Sequence, residues 1–310
     1  MKAIRIHTYG DAGVLRLDDV PVPAIADDEV LIRVRAAGVN PVDWKIREGW
    51  LKDFIPHRLP LIPGWDVSGT VEKAGAGVDG FLPGDEVYTR PDIARDGGYA
   101  EYIAVKADEV AAKPVRLAPV EAASIPLAGI TAWWSLVDVA DIQPGQRVLI
   151  HAAAGGVGSL AVQIAKARGA RVVATCSPRN ADLVKSLGAD ELVNYRAVDF
   201  TRSMLPVDVV FDTVGGQTQE ASWAVLKPGG LLVSIVVPPQ EERARALGVR
   251  SAFVFIQPSA RILRELAQLI DTGTVQPVLG ATFPLAKAAD AQRLSQTGHA
   301  RGKIVLTVAS

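Results

Sequence analysis

Ala153, Gly155 and Gly158 follow the spacing small-x-Gly-x-x-Gly, directly after the apolar run Val148-Leu149-Ile150 and before the helix-compatible run Leu160–Arg168. That spacing suits the holding of a dinucleotide diphosphate. The first small residue permits a tight turn, the second lets backbone approach the pyrophosphate, and the third lets helix pack on strand. The free N–H groups of the helix's first turn then face the anion, aided by the helix dipole. Ala154, Gly155, Gly156 and Val157 are the expected contacts. A plain glycine-rich turn is the alternative. The position between strand and helix, with a second strand candidate at Arg171–Thr175, favours the nucleotide.

The end of that second strand tells the two nicotinamide cofactors apart. An NAD site usually carries Asp or Glu there, to bind the ribose 2′-hydroxyl. Here the chain reads Ala174-Thr175-Cys176-Ser177-Pro178-Arg179-Asn180, with no carboxylate. A hydroxyl and a guanidinium suit a 2′-phosphate. Ser177 and Arg179 are therefore the candidates, and NADP(H) is the expected cofactor.

No histidine or cysteine set has the spacing of a zinc site. The four histidines, His7, His57, His151 and His299, include no pair at metal-ligand spacing, and Cys176 is the only cysteine. His151 and Cys176 read as packed strand-end residues. One cysteine excludes an intramolecular disulfide and fits a reducing compartment. The 310 residues are 49% hydrophobic and 22% charged, with 33 Lys and Arg against 34 Asp and Glu. No basic block points to nucleic acid. No apolar run reaches the roughly 18 residues of a membrane span, and no signal-peptide core is visible, so no membrane partner and a cytoplasmic location are expected.

The elements that must position these groups fall into two textures. Up to about residue 123 short strand signals alternate with Gly/Pro turns, as in Val30–Ala36, Gly64–Val71, Gly84–Tyr88 and Gly97–Ile103, which suggests a barrel-like β domain. From Ser124-Ile125-Pro126 an apolar helical stretch runs through Trp133 and Trp134. Apolar strands are then expected at Arg147–His151, Arg171–Thr175, Glu191–Asn194, Asp208–Asp212 and Leu231–Val236, with a sixth at Ala252–Ile256. This alternation predicts a doubly wound parallel sheet. A helix is expected over Ser259–Asp271, and the strand-like tail Gly302–Val308 returns to the first domain.

The chain resembles the medium-chain dehydrogenase/reductase superfamily, in its zinc-independent quinone oxidoreductase (zeta-crystallin-like) branch. The likeness rests on Ala37-Gly38-Val39-Asn40-Pro41-Val42-Asp43, Pro63-Gly64-Trp65-Asp66-Val67-Ser68-Gly69, Gly84-Asp85-Glu86-Val87, Gly97-Gly98-Tyr99-Ala100-Glu101-Tyr102, the 153–158 turn, Leu187-Gly188-Ala189-Asp190 and Arg301-Gly302-Lys303-Ile304-Val305. The resemblance implies an α/β fold of two domains. A GroES-like β-barrel is built from 1–123 plus 272–310, and a Rossmann doubly wound parallel sheet domain from 124–271. It also implies further cofactor contacts: Tyr195 on the 2′-phosphate, Thr131 near the nicotinamide, Lys303 near the cofactor, and Val214-Gly215, Val236-Val237 and Phe255-Ile256 at strand ends. Zinc-bearing relatives place a cysteine where Asn40 stands and a histidine where Trp65 stands, so a catalytic zinc is not expected.

Without a Lewis acid to stabilise an alkoxide, simple alcohol oxidation is disfavoured. A quinone, or an α,β-unsaturated carbonyl taking hydride at its β carbon, can spread the incoming charge. Asn40 would orient substrate or nicotinamide ribose. Lys45, where relatives often carry tyrosine, would donate to the oxyanion, and Asp43 reads as a structural carboxylate. Trp44, Trp50, Trp65 and Trp134 are pocket candidates for a planar acceptor. The motifs do not separate a quinone reductase from an enoyl-thioester or alkenal reductase. An NADPH-binding structural or regulatory protein, crystallin-like or RNA-binding, is the non-enzyme alternative. Family habit and Ala252–Ile256 as an edge strand suggest a homodimer.

Overall fold

The alternating start of the chain forms a hairpin, with β1 (Lys2–Ile6) antiparallel to β2 (Leu15–Asp19). The structure is a computed structural model that describes residues 1–308, with Ser203 described by its backbone alone. The next strand, β3 (Glu29–Val39), is the spine of the first unit. It pairs with β4 (Val67–Ala74) along one edge. Along its other edge it pairs with β6 (Tyr102–Lys106), which follows β5 (Glu86–Thr89). Neighbours on both edges explain why only Arg33 and Arg35 of its eleven residues keep appreciable exposure. β5 lies between β4 and β7 (Val110–Ala112). Val30, Ile32, Val34, Val67, Val71, Val87, Ile103 and Val105 meet in the core of this sheet.

The second unit opens with β8 (Arg147–Ile150) and continues through β9 (Arg171–Cys176), β10 (Glu191–Asn194), β11 (Val207–Asp212), β12 (Leu226–Ser234) and β13 (Arg250–Phe253). All pair in parallel, in the order β10-β9-β8-β11-β12-β13. Counted within the unit this is 3-2-1-4-5-6, the dinucleotide-binding order, whose switch point lies between the first and fourth strands. Both faces are covered, so the central strands are apolar runs rather than alternations. The strand expected at Leu231–Val236 begins earlier and stops at Ser234, because Val236 and Val237 turn out of the sheet. The strand expected at Ala252–Ile256 is shifted two to three residues upstream.

The tail adds β14 (Leu279–Pro284) and β15 (Lys303–Thr307), and β15 pairs with the second half of β3. The first sheet then reads β14-β15-β3-β4-β5-β7, with β6 on β3. The chain divides into Met1–Leu127 with Gln257–Gly273 and Pro277–Ser310, and Ala128–Ile256 with Thr274–Gln276. The helix Ala260–Asp271 therefore groups with the first unit, whereas the sequence pattern ends the second domain at residue 271. The Tyr88 hydroxyl donates to the Leu263 carbonyl at 2.5 Å, tying that helix to β5. Among the described residues no helix is long and apolar enough to cross a membrane.

The helix Gly156–Ala167 can lie on β8 only because Gly158 has no side chain. A Cβ there would sit 2.3 Å from the Ala152 carbonyl oxygen, whereas one on Gly155 would meet the same oxygen at 3.3 Å. Gly158→Ala is expected to destabilise the protein by about 1–3 kcal/mol through overpacking against backbone. Gly155→Ala should cost clearly less, and paired thermal melts of the two variants check the ranking.

Candidate active site

The glycine turn is fastened to β9. The Ala152 N–H donates to Thr175 Oγ1 (3.1 Å), the Ala153 N–H to the Thr175 carbonyl (3.1 Å), and the Gly155 N–H to the Ala152 carbonyl (2.9 Å). Ala152 holds φ at +48°, a left-handed conformation that a non-glycine residue adopts at some cost. The helix that follows has Gly155 at its N-cap with no side-chain cap. Gly155, Gly156 and Val157 are half-buried and Ala154 is buried. An uncapped, partly exposed first turn fits a diphosphate.

His151, buried beneath this turn, contacts Thr175 Oγ1 (3.2 Å) through Nδ1 and Ser222 Oγ (2.9 Å) through Nε2. Ser222 donates onward to the Thr218 carbonyl, so a neutral ring with its proton on Nε2 satisfies the chain. Burial pushes its pKa down to about 4, with Asp212 opposing.

The register pairs Cys176 with Asn194, which sets the next residues, Ser177 and Tyr195, at the same edge of the sheet. Ser177 is buried, Arg179 is exposed, and Tyr195 is 49% exposed. Arg196 lies 5.8 Å from the centre of the Tyr195 ring and adds a second cation that the pattern did not single out, although it adjoins Tyr195 in sequence. Asp212 organises the remaining strand-end residues. Its Oδ1 accepts from the N–H groups of Val214 (3.0 Å) and Gly215 (2.8 Å), and its Oδ2 from Gln219 Nε2 (3.0 Å) and Ser234 Oγ (2.9 Å). Gln219 also donates to the Val237 carbonyl. Val214, Val237 and Phe255 are exposed, Val236 is half-buried, and Ile256 and Thr131 are buried.

In the first unit the expected cofactor contacts Asn40 and Lys303 face each other. Asn40 Oδ1 accepts from Lys303 Nζ, while its Nδ2 donates to Asp66 Oδ2 (2.8 Å). Lys303 also pairs with Asp66 at 2.9 Å, and Asp66 Oδ1 accepts from the Leu127 N–H at 2.5 Å. Lys303 is only 6% exposed, and two of its three ammonium donors go to Asn40 Oδ1 and Asp66 Oδ2. Asp43 Oδ2 accepts from the Asn40 N–H and the Tyr99 hydroxyl, both at 2.8 Å. Asp66, Tyr99 and Lys303 completing one network was hidden because they lie far apart in sequence.

Trp65 also needs correction as a pocket wall. It has no exposed surface, packs among Ile6, Ile46, Ile55, Leu61 and Ile93, and donates its indole N–H to the Arg95 carbonyl (3.1 Å). Trp44 and Trp50 stay available: their rings meet edge-on at 5.1 Å, and Trp50 is 64% exposed. Trp134 is half-buried. Lys45 Nζ lies 5.7 Å from the centre of the Trp44 ring, and burial pushes its ammonium pKa down. A zinc ion does not fit positions 40 and 65, which present an amide engaged by an ammonium and an indole N–H. Among the described residues no cluster of three His, Cys, Asp or Glu groups could hold a metal.

Burial raises the Asp43 pKa to about 7, against the pull of the Asn40 N–H and the Tyr99 hydroxyl. Folded Asp43 thus keeps a proton that the unfolded carboxyl releases above its ordinary 3.8, so its contribution to stability falls as pH rises from 3.8 to 7. His151 acts oppositely. The unfolded ring takes a proton below its ordinary 6.5 that the folded ring refuses down to about 4, so its contribution rises with pH over that window, by roughly 3 kcal/mol in all. The two slopes oppose between about pH 4 and 6.5. Asp43→Asn is expected to stabilise most toward pH 6.5, steepening the rise of the melting midpoint with pH. Parallel profiles for variant and native protein would refute the assignment.

Comparison with known proteins joins these features. The alcohol dehydrogenase GroES-like domain family matches residues 26–115, and the zinc-binding dehydrogenase family matches residues 187–306. The chloroplastic quinone-oxidoreductase QR1 of Triphysaria versicolor is 34% identical, over 99% of this chain and 98% of its own. The mitochondrial NAD(P)H oxidoreductase RTN4IP1 of Homo sapiens is 35% identical, over 99% and 89%. The solved quinone oxidoreductase from Coxiella burnetii superposes with a TM-score of 0.91 at 36% identity, covering 100% of this chain and 99% of that one. The expectation of a cytoplasmic protein is overturned, since the Triphysaria versicolor relative is chloroplastic and the Homo sapiens relative mitochondrial. A single cysteine does not distinguish one reducing compartment from another. The fold and the relatives make this an NAD(P)H-binding oxidoreductase, and the chain belongs to the zinc-independent quinone oxidoreductase branch of the medium-chain dehydrogenase/reductase superfamily.

Proposed function

We propose that the protein uses NADPH to reduce a quinone, or the carbon–carbon double bond of an α,β-unsaturated carbonyl, without zinc. The observation that carries this reading is the donor set at positions 40 and 65. An amide held by Lys303 and Asp66, and a buried indole, leave no ligands for the metal that alcohol oxidation in this fold would use. An acceptor that delocalises its own developing charge fits such a site.

When bound, NADPH supplies a hydride. The first turn of Gly156–Ala167, through Gly155, Gly156 and Val157, holds the diphosphate, with Ala154 shaping the approach. Ser177, Arg179 and Tyr195 take the 2′-phosphate, and Arg196 adds to the positive field. Val214, Gly215, Val236, Val237, Phe255 and Ile256 provide the surface on which the nicotinamide half lies, and Thr131 hydrogen-bonds near it. Asn40 orients the reacting partners, with Lys303 as the positioning residue that fixes its amide. Lys45, whose charged form burial disfavours, supplies the proton that completes reduction. Trp44, Trp50 and Trp134 offer flat apolar surface to a planar acceptor.

We also infer a homodimer through the free edge of β13, which ends the six-stranded order and leaves Phe253 41% exposed. Light scattering should give twice the chain mass, and Phe253→Lys should lower it toward one chain.

Two measurements test the main reading. NADPH oxidation, followed at 1:1 mixing with quinones, enones and enoyl thioesters in turn, should proceed with at least one of the first two classes. Arg179→Ala should weaken NADPH binding by about tenfold to a hundredfold while NADH binding barely changes, as expected for loss of a charge-assisted hydrogen bond. Equal native affinity for both cofactors would contradict the phosphate assignment.

A further inference from the structure

A cavity of about 360 Å³ opens on the first unit. Every residue lining it lies between Met1 and Ala104, so it belongs to that unit alone. A volume of this size is within the range that holds a small molecule. β1 lends Arg5 to the wall, and β6 lends Ile103 and Ala104. Pro21, Pro23 and Pro60 add apolar surface that keeps its shape, because a proline ring fixes its own backbone angle. Asp96 is pinned in the wall through Ile62. Its Oδ1 accepts from the Ile62 N–H (2.8 Å), and the Gly97 N–H donates to the Ile62 carbonyl (2.6 Å). A cavity built in advance spares a ligand the cost of ordering it.

The two guanidinium groups in this wall are under-used. Arg5 Nη1 lies 3.4 Å from Asp18 Oδ2, too far for a good charge-assisted hydrogen bond, and His7 Nε2 already meets that oxygen at 2.7 Å. Arg95 gives its Nη2 to Glu29 Oε1, while its Nε and Nη1 make no hydrogen bond among the described residues. Glu29 Oε2 accepts from the Ala26 N–H (2.9 Å), which holds the pair in place. The Arg5 and Arg95 side chains are 23% and 36% exposed, so a solute can reach both. A guanidinium presents its N–H donors as a planar fork, the shape that a carboxylate accepts.

We propose that this cavity binds a small organic carboxylate with an aliphatic body. The guanidinium groups of Arg5 and Arg95 take the carboxylate, and the proline and isoleucine surface takes the body. Two cationic side chains against the single carboxylate of Asp96 complement one negative charge, and Asp96 disfavours a dianion such as phosphate. None of the lining residues belongs to the cofactor or acceptor set above, so the site is additional to the reductase reading and does not depend on it.

Isothermal titration with cyclohexanecarboxylate, its neutral amide and inorganic phosphate, with and without NADPH, tests the site. The carboxylate should bind saturably, at least tenfold more tightly than the amide or phosphate, and equally well with NADPH present. Arg5→Met and Arg95→Met should each weaken it about tenfold, as expected for loss of a charge-assisted hydrogen bond. Ala24→Trp, which fills the cavity from a lining position outside the strands, should abolish binding. Equal affinity for acid and amide would overturn the inference, as would no saturable binding at all. Competition by NADPH would place the carboxylate in the nucleotide site and overturn it too. Should an arginine variant fail to fold, Ala24→Trp decides alone, and native affinity in that variant overturns the inference.

Discussion

A carboxylate with no exposed surface has to be neutralised and hydrogen-bonded where it stands, and Asp66 imposes that condition on the first unit. It draws together the Asn40 amide, the Lys303 ammonium and the Leu127 N–H, groups contributed by the ends of three different segments. Removing one partner of such a buried pair typically costs about 3–5 kcal/mol, because the other charge is left uncompensated. The network therefore fixes the angle of the Asn40 side chain and the start of the helix Pro41–Arg47, and the Asn40 N–H passes the constraint on to Asp43 and Tyr99. Rigid support of this kind is what a site needs when orientation, rather than a metal, does the chemistry.

Asp212 does a related job in the second unit with neutral partners. Four donors, two backbone N–H groups and two side chains, converge on it, so the ends of β11 and β12 are shaped by one residue. On the other side of the switch point, Thr175 and His151 brace the glycine turn. The surfaces offered to a dinucleotide are thus exposed backbone and apolar side chains, while the polar groups that shape them stay inside.

Much of this was legible in the sequence because it depends on local rules. The glycine turn, the missing carboxylate after β9 and the alternation of apolar strands with helices are short-range patterns, and the strands appear within a few residues of where the pattern puts them. The misreadings share a different cause. Trp65, expected at a pocket wall, is turned inward by partners that no spacing rule connects to it, and the aspartate that pairs with Lys303 lies 237 positions away. Asp212 is hidden for the same reason, since a lone charged residue at a strand end gains meaning only when its neighbours in space are known. The grouping of Ala260–Asp271 was equally hidden, because a helix following a parallel sheet carries no mark of which unit it will cover.

The placement of β15 has a consequence for how the chain comes into being. During synthesis β3, β4 and Asp66 emerge early, but the strand that completes β3 and the ammonium that compensates Asp66 emerge only after the second unit. The residues of the second unit between 128 and 256 are all available before then and can fold as a body. The first unit must wait with an unfinished strand edge and an unpaired acid. The earlier part of the chain is thus the later part to fold, and the second unit can be a finished body before the first unit closes its sheet.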